Sequence, residues 1–253
     1  MNAIKSITAG LLFSTLAAPA MATVVVGLSG ENELHWLDTE TWTRTGGATV
    51  SGVEGRLLGI DMRPADGMLY GVFADGTLAS IDPMTGVATK VSTLATTLAD
   101  GVSATVDFNP VADKLRVMGS DGTSLRVTVE TGEVVTDGSH SYADGTVPDI
   151  IAGAYTNSHQ GTEKTQLFNI DGAAGWLVLQ DPPNDGTLNP IGEIGVKPSE
   201  AGFDIASDGA GGNEAWLVVE GGFHSVDLES GATTEAGRID GANVRDIAIL
   251  PAM

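Results

Sequence analysis

The sequence predicts an all-β fold: a five-bladed β-propeller of four-stranded antiparallel blades, with the ring closed by the C-terminal strand. Three observations carry this reading. One sequence unit recurs five times, each unit divides into four strand-like runs, and the chain begins and ends out of phase with the unit. Gly59-Ile-Asp-Met-Arg-Pro64 is echoed by Thr105-Val-Asp-Phe-Asn-Pro110, Gly202-Phe-Asp-Ile-Ala-Ser207 and Val244-Arg-Asp-Ile-Ala-Ile249. Gly153-Ala-Tyr-Thr-Asn157 fills the same slot with Tyr155 in place of Asp. The central residues Asp61, Asp107, Tyr155, Asp204 and Asp246 are spaced by 46, 48, 49 and 42 residues. Repeats of this length are supersecondary units that cannot bury both faces alone, so they pack radially.

Within the second unit, Met68-Leu-Tyr-Gly-Val-Phe73, Leu78-Ala-Ser-Ile-Asp82 and Val87-Ala-Thr-Lys-Val-Ser-Thr-Leu94 follow the first run, separated by Asp-Gly and Thr-Gly turns. Short runs rich in Val, Ile, Leu and Thr between such turns read as an antiparallel meander. The third-strand turn recurs as Glu130-Thr-Gly132 and Glu229-Ser-Gly231. In the third unit Thr128 replaces the Asp that ends this strand elsewhere, which makes that turn less secure. Thr23 to Leu28 matches a second strand and Val244 to Leu250 a first, so the last segment is expected to complete blade one. That pairing removes an open sheet edge. The fourth unit is the least regular, with an insertion from Asn157 to Lys164 and a Pro-rich run from Gln180 to Leu188. Asp208 to Glu214 reads as a flexible hairpin tip.

Ahead of the repeats, Lys5 precedes an apolar stretch from Ile7 to Ala18, and Pro19-Ala-Met-Ala22 supplies small residues of the kind a signal peptidase reads. Twelve apolar residues are too few to span a bilayer, which takes about 20. Residues 1–22 are therefore expected to be a secretory signal peptide and residues 23–253 a single β-propeller domain, periplasmic or extracellular. The chain carries 12 Lys+Arg against 33 Asp+Glu, a formal charge of −21, and no Cys. Such a surface repels phosphates, which argues against nucleic acid as a partner. Without Cys there is no disulfide, thiolate nucleophile or Cys-ligated zinc.

Leu57 to Gly71, Val106 to Val117, Ala154-Tyr-Thr-Asn157 and Pro182-Pro-Asn-Asp-Gly-Thr-Leu-Asn189 occur in an order that resembles the bacterial secreted family known as domain of unknown function 4394. The resemblance implies a propeller-like exported domain. It implies no activity and no functional residues.

The repeated Asp residues are the most informative candidates. Equivalent inner strands place Asp61, Asp107, Asp204 and Asp246 at one height around the axis, where they would either pin neighbouring blades by accepting backbone N–H groups or bind a hard cation such as Ca²⁺. The first reading is favoured, because repetition is what scaffold residues show. If these pins are real, acid is expected to destabilise the fold. Arg56, Arg63, Arg116, Arg126 and Arg245 sit in or beside the inner halves of blades and are expected to pair with the repeated Asp residues. The alternative is that one or two face the channel mouth and grip a carboxylate ligand.

No Gly-x-Ser-x-Gly elbow and no His-Glu-x-x-His pair is present, and the four His have no regular partners. The candidate ligand-binding set, in the channel or on the inner strands, is Asp61, Arg63, Asp107, Arg116, Tyr155, Asn157, Asp204 and Asp246. No catalytic residue and no cofactor is named, Ca²⁺ apart. The expected function is a soluble, monomeric, non-enzymatic module that binds a small molecule, glycan or protein, with no membrane span. The competing reading is a cation-dependent hydrolase of lactones or sugars with its site in the central channel.

Overall fold

A computed structural model describes residues 24–239, 241 and 243–250. The signal-like segment 1–22 lies outside the described residues. Blade one contains β1 (Val24–Ser29), β2 (Glu33–Asp38) and β3 (Thr43–Thr49); blade two contains β4 (Leu57–Arg63), β5 (Met68–Phe73), β6 (Thr77–Ile81) and β7 (Ala88–Thr93). Blade three contains β8 (Ala104–Asn109), β9 (Lys114–Gly119), β10 (Ser124–Val127) and β11 (Val134–Thr136). The short β12 (Ser141–Tyr142) precedes blade four, which contains β13 (Ile150–Tyr155), β14 (Leu167–Asp171), β15 (Trp176–Gln180) and β16 (Thr187–Glu193). Blade five contains β17 (Gly202–Ser207), β18 (Asn213–Val219), β19 (Gly222–Val226) and β20 (Thr233–Arg238), and β21 (Val244–Ile249) follows.

Ring closure is as the repeat phase predicts. The first sheet runs β21-β1-β2-β3, and β21 pairs antiparallel with β1 from Val25↔Ile249 to Ser29↔Val244. Blade four is widened by β12, which joins β16 in parallel at Ser141↔Thr187. The less secure turn of blade three survives on its backbone: Gly132 N–H donates to the Thr128 carbonyl at 2.8 Å. Its cap has nevertheless changed. Asp38, Asp82 and Asp227 each accept two amides of their own turn, whereas Thr128 Oγ1 accepts from Lys114 Nζ at 2.8 Å.

Apolar side chains fill the wedges between blades, as alternation along each strand requires. Leu57, Ile60, Leu69 and Phe73 meet Val26, Leu28 and Leu34 between blades one and two. The seam between blades three and four differs: its apolar cluster is small, Met118 with Tyr155 and Leu167, and a buried polar network lies beside it. Arg116, almost without exposure, donates to Tyr155 Oη at 2.8 Å, Ser124 Oγ at 2.7 Å, Asp137 Oδ2 at 3.0 Å and Asn184 Oδ1 at 2.8 Å.

The recurrent outer turns also join blades. Gly86, Gly132 and Gly231 have φ of 72°, 70° and 77°. A Cβ on them would lie 2.8 Å from Thr49 O, 1.9 Å from Thr93 O and 2.7 Å from Gly192 O, each on the outer strand of the preceding blade. Gly186 plays this part for blade four, against Ser139 O. In blade one the position is Trp42, with φ 52°, whose indole lies over Gly237 and meets Trp216 at 5.8 Å and Phe223 at 5.5 Å between ring centroids. Glycine is thus used where a left-handed backbone must approach another backbone, and one blade substitutes an aromatic plug.

Candidate functional site

Two kinds of site arise from this frame: the axis, where the repeat is most regular, and the two end faces, where it departs from regularity. On the axis, each repeated carboxylate reaches across a seam to the inner strand of the next blade. Asp61 Oδ2 accepts Phe108 N–H at 2.6 Å, and Asp107 Oδ1 accepts Tyr155 N–H at 2.9 Å. Asp204 Oδ2 accepts Ile249 N–H at 2.7 Å, and Asp246 Oδ2 accepts Ile60 N–H at 2.8 Å. The second oxygens of Asp61, Asp204 and Asp246 take the amide of the next residue in their own strand.

Asp61, Asp107 and Asp204 each bring a carboxylate oxygen to within 4.8 Å of the other two. Burial and mutual repulsion hold Asp61 and Asp107 well above the ordinary carboxylate range. Burial pushes Asp204 up to about 6 and Asp246 up to about 8. The ring therefore retains protons near neutrality, as like charges sharing a buried site must.

The arginines do not pair with these carboxylates, contrary to expectation. Arg63 binds Asp113 at 2.6 Å, Glu130 at 2.7 Å and Asp66 at 3.2 Å; Arg116 and Arg126 share Asp137 at 3.0 and 2.7 Å. The axial oxygens are already taken by amides, and the guanidinium groups meet acids further out along the seams. Arg63 and Arg116 thus belong to the scaffold, as does the Tyr155 hydroxyl. Tyr155 still occupies the slot of the repeated Asp and is buried, with its ring in place of a carboxylate.

The seam that follows Tyr155 therefore lacks the carboxylate pin, and blades four and five are joined there by paired amides. Asn157 N–H donates to Asn213 Oδ1 at 2.7 Å, and Asn213 Nδ2 donates to Asn157 Oδ1 at 3.0 Å. Beside this pair lies a cleft of about 540 Å³ whose lining includes Asn157, Gln166, Phe168, Leu179, Asn213 and Leu228. The insertion forms its rim. Asn157 Nδ2 donates to Lys164 O at 3.1 Å, and Gln160 Nε2 reaches Ala65 O in blade two at 3.3 Å. The Asp208–Glu214 tip is a hydrogen-bonded turn, in which Asp208 Oδ1 accepts the amides of Ala210 and Gly212. Of the residues singled out in the sequence, the structure gathers Asp61, Asp107, Asp204 and Asp246 at the axis and places Asn157 in the cleft. Gln166, Phe168, Leu179, Asn213 and Leu228 were missed; the insertion was the available signal, since insertions in repeat proteins cluster on binding faces.

Comparison with protein families matches residues 33–248 to the domain of unknown function DUF4394. No curated protein matches. A structural genomics protein of unknown function from Bacteroides thetaiotaomicron shares the fold with TM-score 0.52 and 15% identity, over 83% of this chain and 55% of that one. An auxiliary nutrient binding protein from the same organism aligns with TM-score 0.51 and 10% identity, over 83% and 53%. The chain spans about half the length of these two structures.

Proposed function

The chain belongs to the DUF4394 family, and from that premise we propose that it is an exported, non-enzymatic binding propeller whose ligand is a neutral, hydroxyl-rich small molecule or glycan unit held in the cleft between blades four and five. The observation that carries this reading is the 540 Å³ cleft itself, which lies at the seam following the one inner strand that lacks the repeated Asp and is bordered by the Asn157–Lys164 insertion. That volume falls within the roughly 300–1,000 Å³ of small-molecule sites. Its lining pairs amides, hydroxyls and the charged Lys164 and Glu229 with the apolar Phe168, Leu179, Ile191 and Leu228, a surface suited to a hydroxyl-rich ligand with an apolar face. The similar fold of a nutrient binding protein supports binding as the class of function. Export rests on residues 1–22 and is checked by cell fractionation.

The cleft is tested by screening mono- and oligosaccharides with calorimetry on the wild type, Gln166→Ala and Leu228→Trp. The Gln166 side chain is exposed, so its loss should leave folding intact. Binding to the wild type that both variants weaken supports the proposal; no binding, or binding indifferent to both, overturns it. A second reading is favoured by the convergence of Asp61, Asp107 and Asp204 within 4.8 Å: a divalent cation on the axis, as a hydrolase of the competing class would need. A saturable Ca²⁺-dependent rise in melting temperature that disappears in Asp61→Asn would favour it.

A further inference from the structure

The opposite end of the axis carries a different chemistry. The inner strands β4, β8, β13, β17 and β21 begin there, and residues at or just before their starts line a pocket of about 200 Å³. Arg56 and Arg245 line it from one side of the ring, and Asp149 and Glu200 come from two other strands. Ser103 and Ser199 add hydroxyls.

Arg245 is held by carbonyls alone. Its Nε donates to Gly30 O at 3.0 Å, its Nη1 to Leu58 O at 2.7 Å, and its Nη2 to Glu31 O at 3.3 Å and to Leu57 O. These bonds leave one Nη1 hydrogen uncommitted, since a guanidinium carries five. Among the described residues neither Arg56 nor Arg245 forms an ion pair with a carboxylate. Burial, with the nearby Arg56 charge, lowers the Arg245 pKa against the opposing pull of Asp246 and Glu200. In a chain of charge −21, two neighbouring guanidinium groups that no carboxylate bonds directly among the described residues stand out, although Asp149 and Glu200 line the same pocket. A partly desolvated cation held only by carbonyl dipoles gains most from a ligand carboxylate.

We infer that this pocket binds a small amino-carboxylate, its carboxylate on Arg56 and Arg245 and its ammonium group facing Asp149 and Glu200. Both signs of charge are present within one small volume, contributed by different blades, which matches a zwitterion and disfavours a plain anion. The pocket is smaller than the roughly 300–1,000 Å³ of drug-sized sites, consistent with a ligand of amino-acid size. The site lies on the other face from the cleft between blades four and five, and neither proposal depends on the other.

The test uses the twenty α-amino acids as probes, with acetate, propionate and their amine counterparts as controls, read by thermal shift and calorimetry. The expected result is a saturable rise in melting temperature for one or more amino acids and a much smaller one for the amine-free acids. Arg56→Ala should weaken that binding by at least about tenfold, while the unliganded melting temperature stays the same or rises as the Arg–Arg repulsion is removed. Arg56 suits this test because its side chain makes no hydrogen bond among the described residues, whereas Arg245 also ties blades one and two together. Asp149→Asn should weaken amino acids selectively. Absence of any binding, binding unaffected by Arg56→Ala, or equal response to propionate overturns the proposal.

Discussion

Asp246 in the closing strand accepts the amide of Ile60 in the neighbouring blade at 2.8 Å, and this bond ties the last strand of the chain to the inner strand of blade two. Asp246→Ala leaves the buried amides of Ile60 and Ile247 without their acceptor. Each such orphan costs about 1–3 kcal/mol. The loss should be largest near pH 5, where the carboxyl is protonated, and smaller at pH 9, where the substitution also removes a repelled charge. Urea denaturation at the two pH values checks this, and an equal loss at both would separate pinning from repulsion. Deleting residues from Asn243 onward should do more, since it strips β1 of its inner neighbour and opens the ring.

The pH dependence of the whole protein follows from the same carboxylates, with a sign opposite to the sequence-based expectation. Their folded pKa values lie above the unfolded value of about 3.9, so the folded state binds protons more tightly. The stability they contribute is complete below about pH 4 and is lost as pH rises through about 6 for Asp204 and about 8 for Asp246. A protonated carboxyl can keep the cross-seam amide on its carbonyl oxygen, at the expense of the oxygen that in Asp61, Asp204 and Asp246 takes the amide of the next residue, so acid does not remove the cross-seam pins. His140 works the other way. It is buried without a ring partner and its pKa is lowered to about 4, so its contribution is lost as pH falls from about 6.5 toward that value. Melting temperature should therefore peak in mildly acidic buffer and fall between pH 6 and 9. The alkaline fall should flatten in Asp246→Asn and the acid limb in His140→Leu.

The repeat, the four-strand unit and the closing strand could be read from the sequence because each leaves a short-range trace: Asp mid-strand, Asp-Gly turns, alternating apolar positions. The axial pins were legible for the same reason, one Asp in four of the five units. What could not be read lies across seams. The partners of Arg63 and Arg116, namely Asp113, Glu130 and Asp137, are chosen by which turn of which blade meets them. Trp42 stands four residues after Asp38, as Gly86 and Gly231 stand after Asp82 and Asp227, so its slot was readable, but not that its indole would pack across a seam on Trp216 and Phe223. The cleft was half visible: its insertion stands out in the sequence, while its apolar floor of Phe168, Leu179 and Leu228 looks like ordinary strand.

The outer turn at Gly132 and the β4–β5 turn at Gly67 give a controlled comparison. Gly132 and Gly67 have nearly the same φ, 70° and 69°, yet a Cβ on Gly132 would lie 1.9 Å from Thr93 O while one on Gly67 meets nothing within 4 Å. Gly67→Ala should cost only the left-handed penalty, about 1–2 kcal/mol. Gly132→Ala should add an overpacking cost of about 1–3 kcal/mol. Equilibrium unfolding of both variants measures the difference, and equal losses would mean that the turn does not dock on blade two.

Arg116 is the polar counterpart of an apolar wedge. Arg116→Met removes the donor shared by Tyr155, Ser124, Asp137 and Asn184, in a seam with little apolar packing to compensate. Breaking a buried ion pair from one side costs about 3–5 kcal/mol. Because Arg126 still holds Asp137, the loss should fall at the lower end of that range. Arg116→Lys should recover little, since an ammonium has three donors and no planar fork for four acceptors. Unfolding in urea ranks the two variants.

Trp42 should invert the usual order of small substitutions. In most positions Ala is more stable than Gly, because Gly adds backbone freedom to the unfolded chain. At φ 52° the native backbone is left-handed, which costs an L-residue about 1–2 kcal/mol and glycine almost nothing. Trp42→Ala and Trp42→Gly both lose the ring contacts with Trp216 and Phe223, worth about 0.5–1.5 kcal/mol each beyond area burial, together with the cover over Gly237. Both variants should therefore be less stable than the wild type. Only Trp42→Ala keeps the strained backbone, so Trp42→Gly should be the more stable of the two by about 1 kcal/mol. Finding Trp42→Ala above Trp42→Gly would mean that the turn relaxes out of its left-handed conformation once the indole is gone.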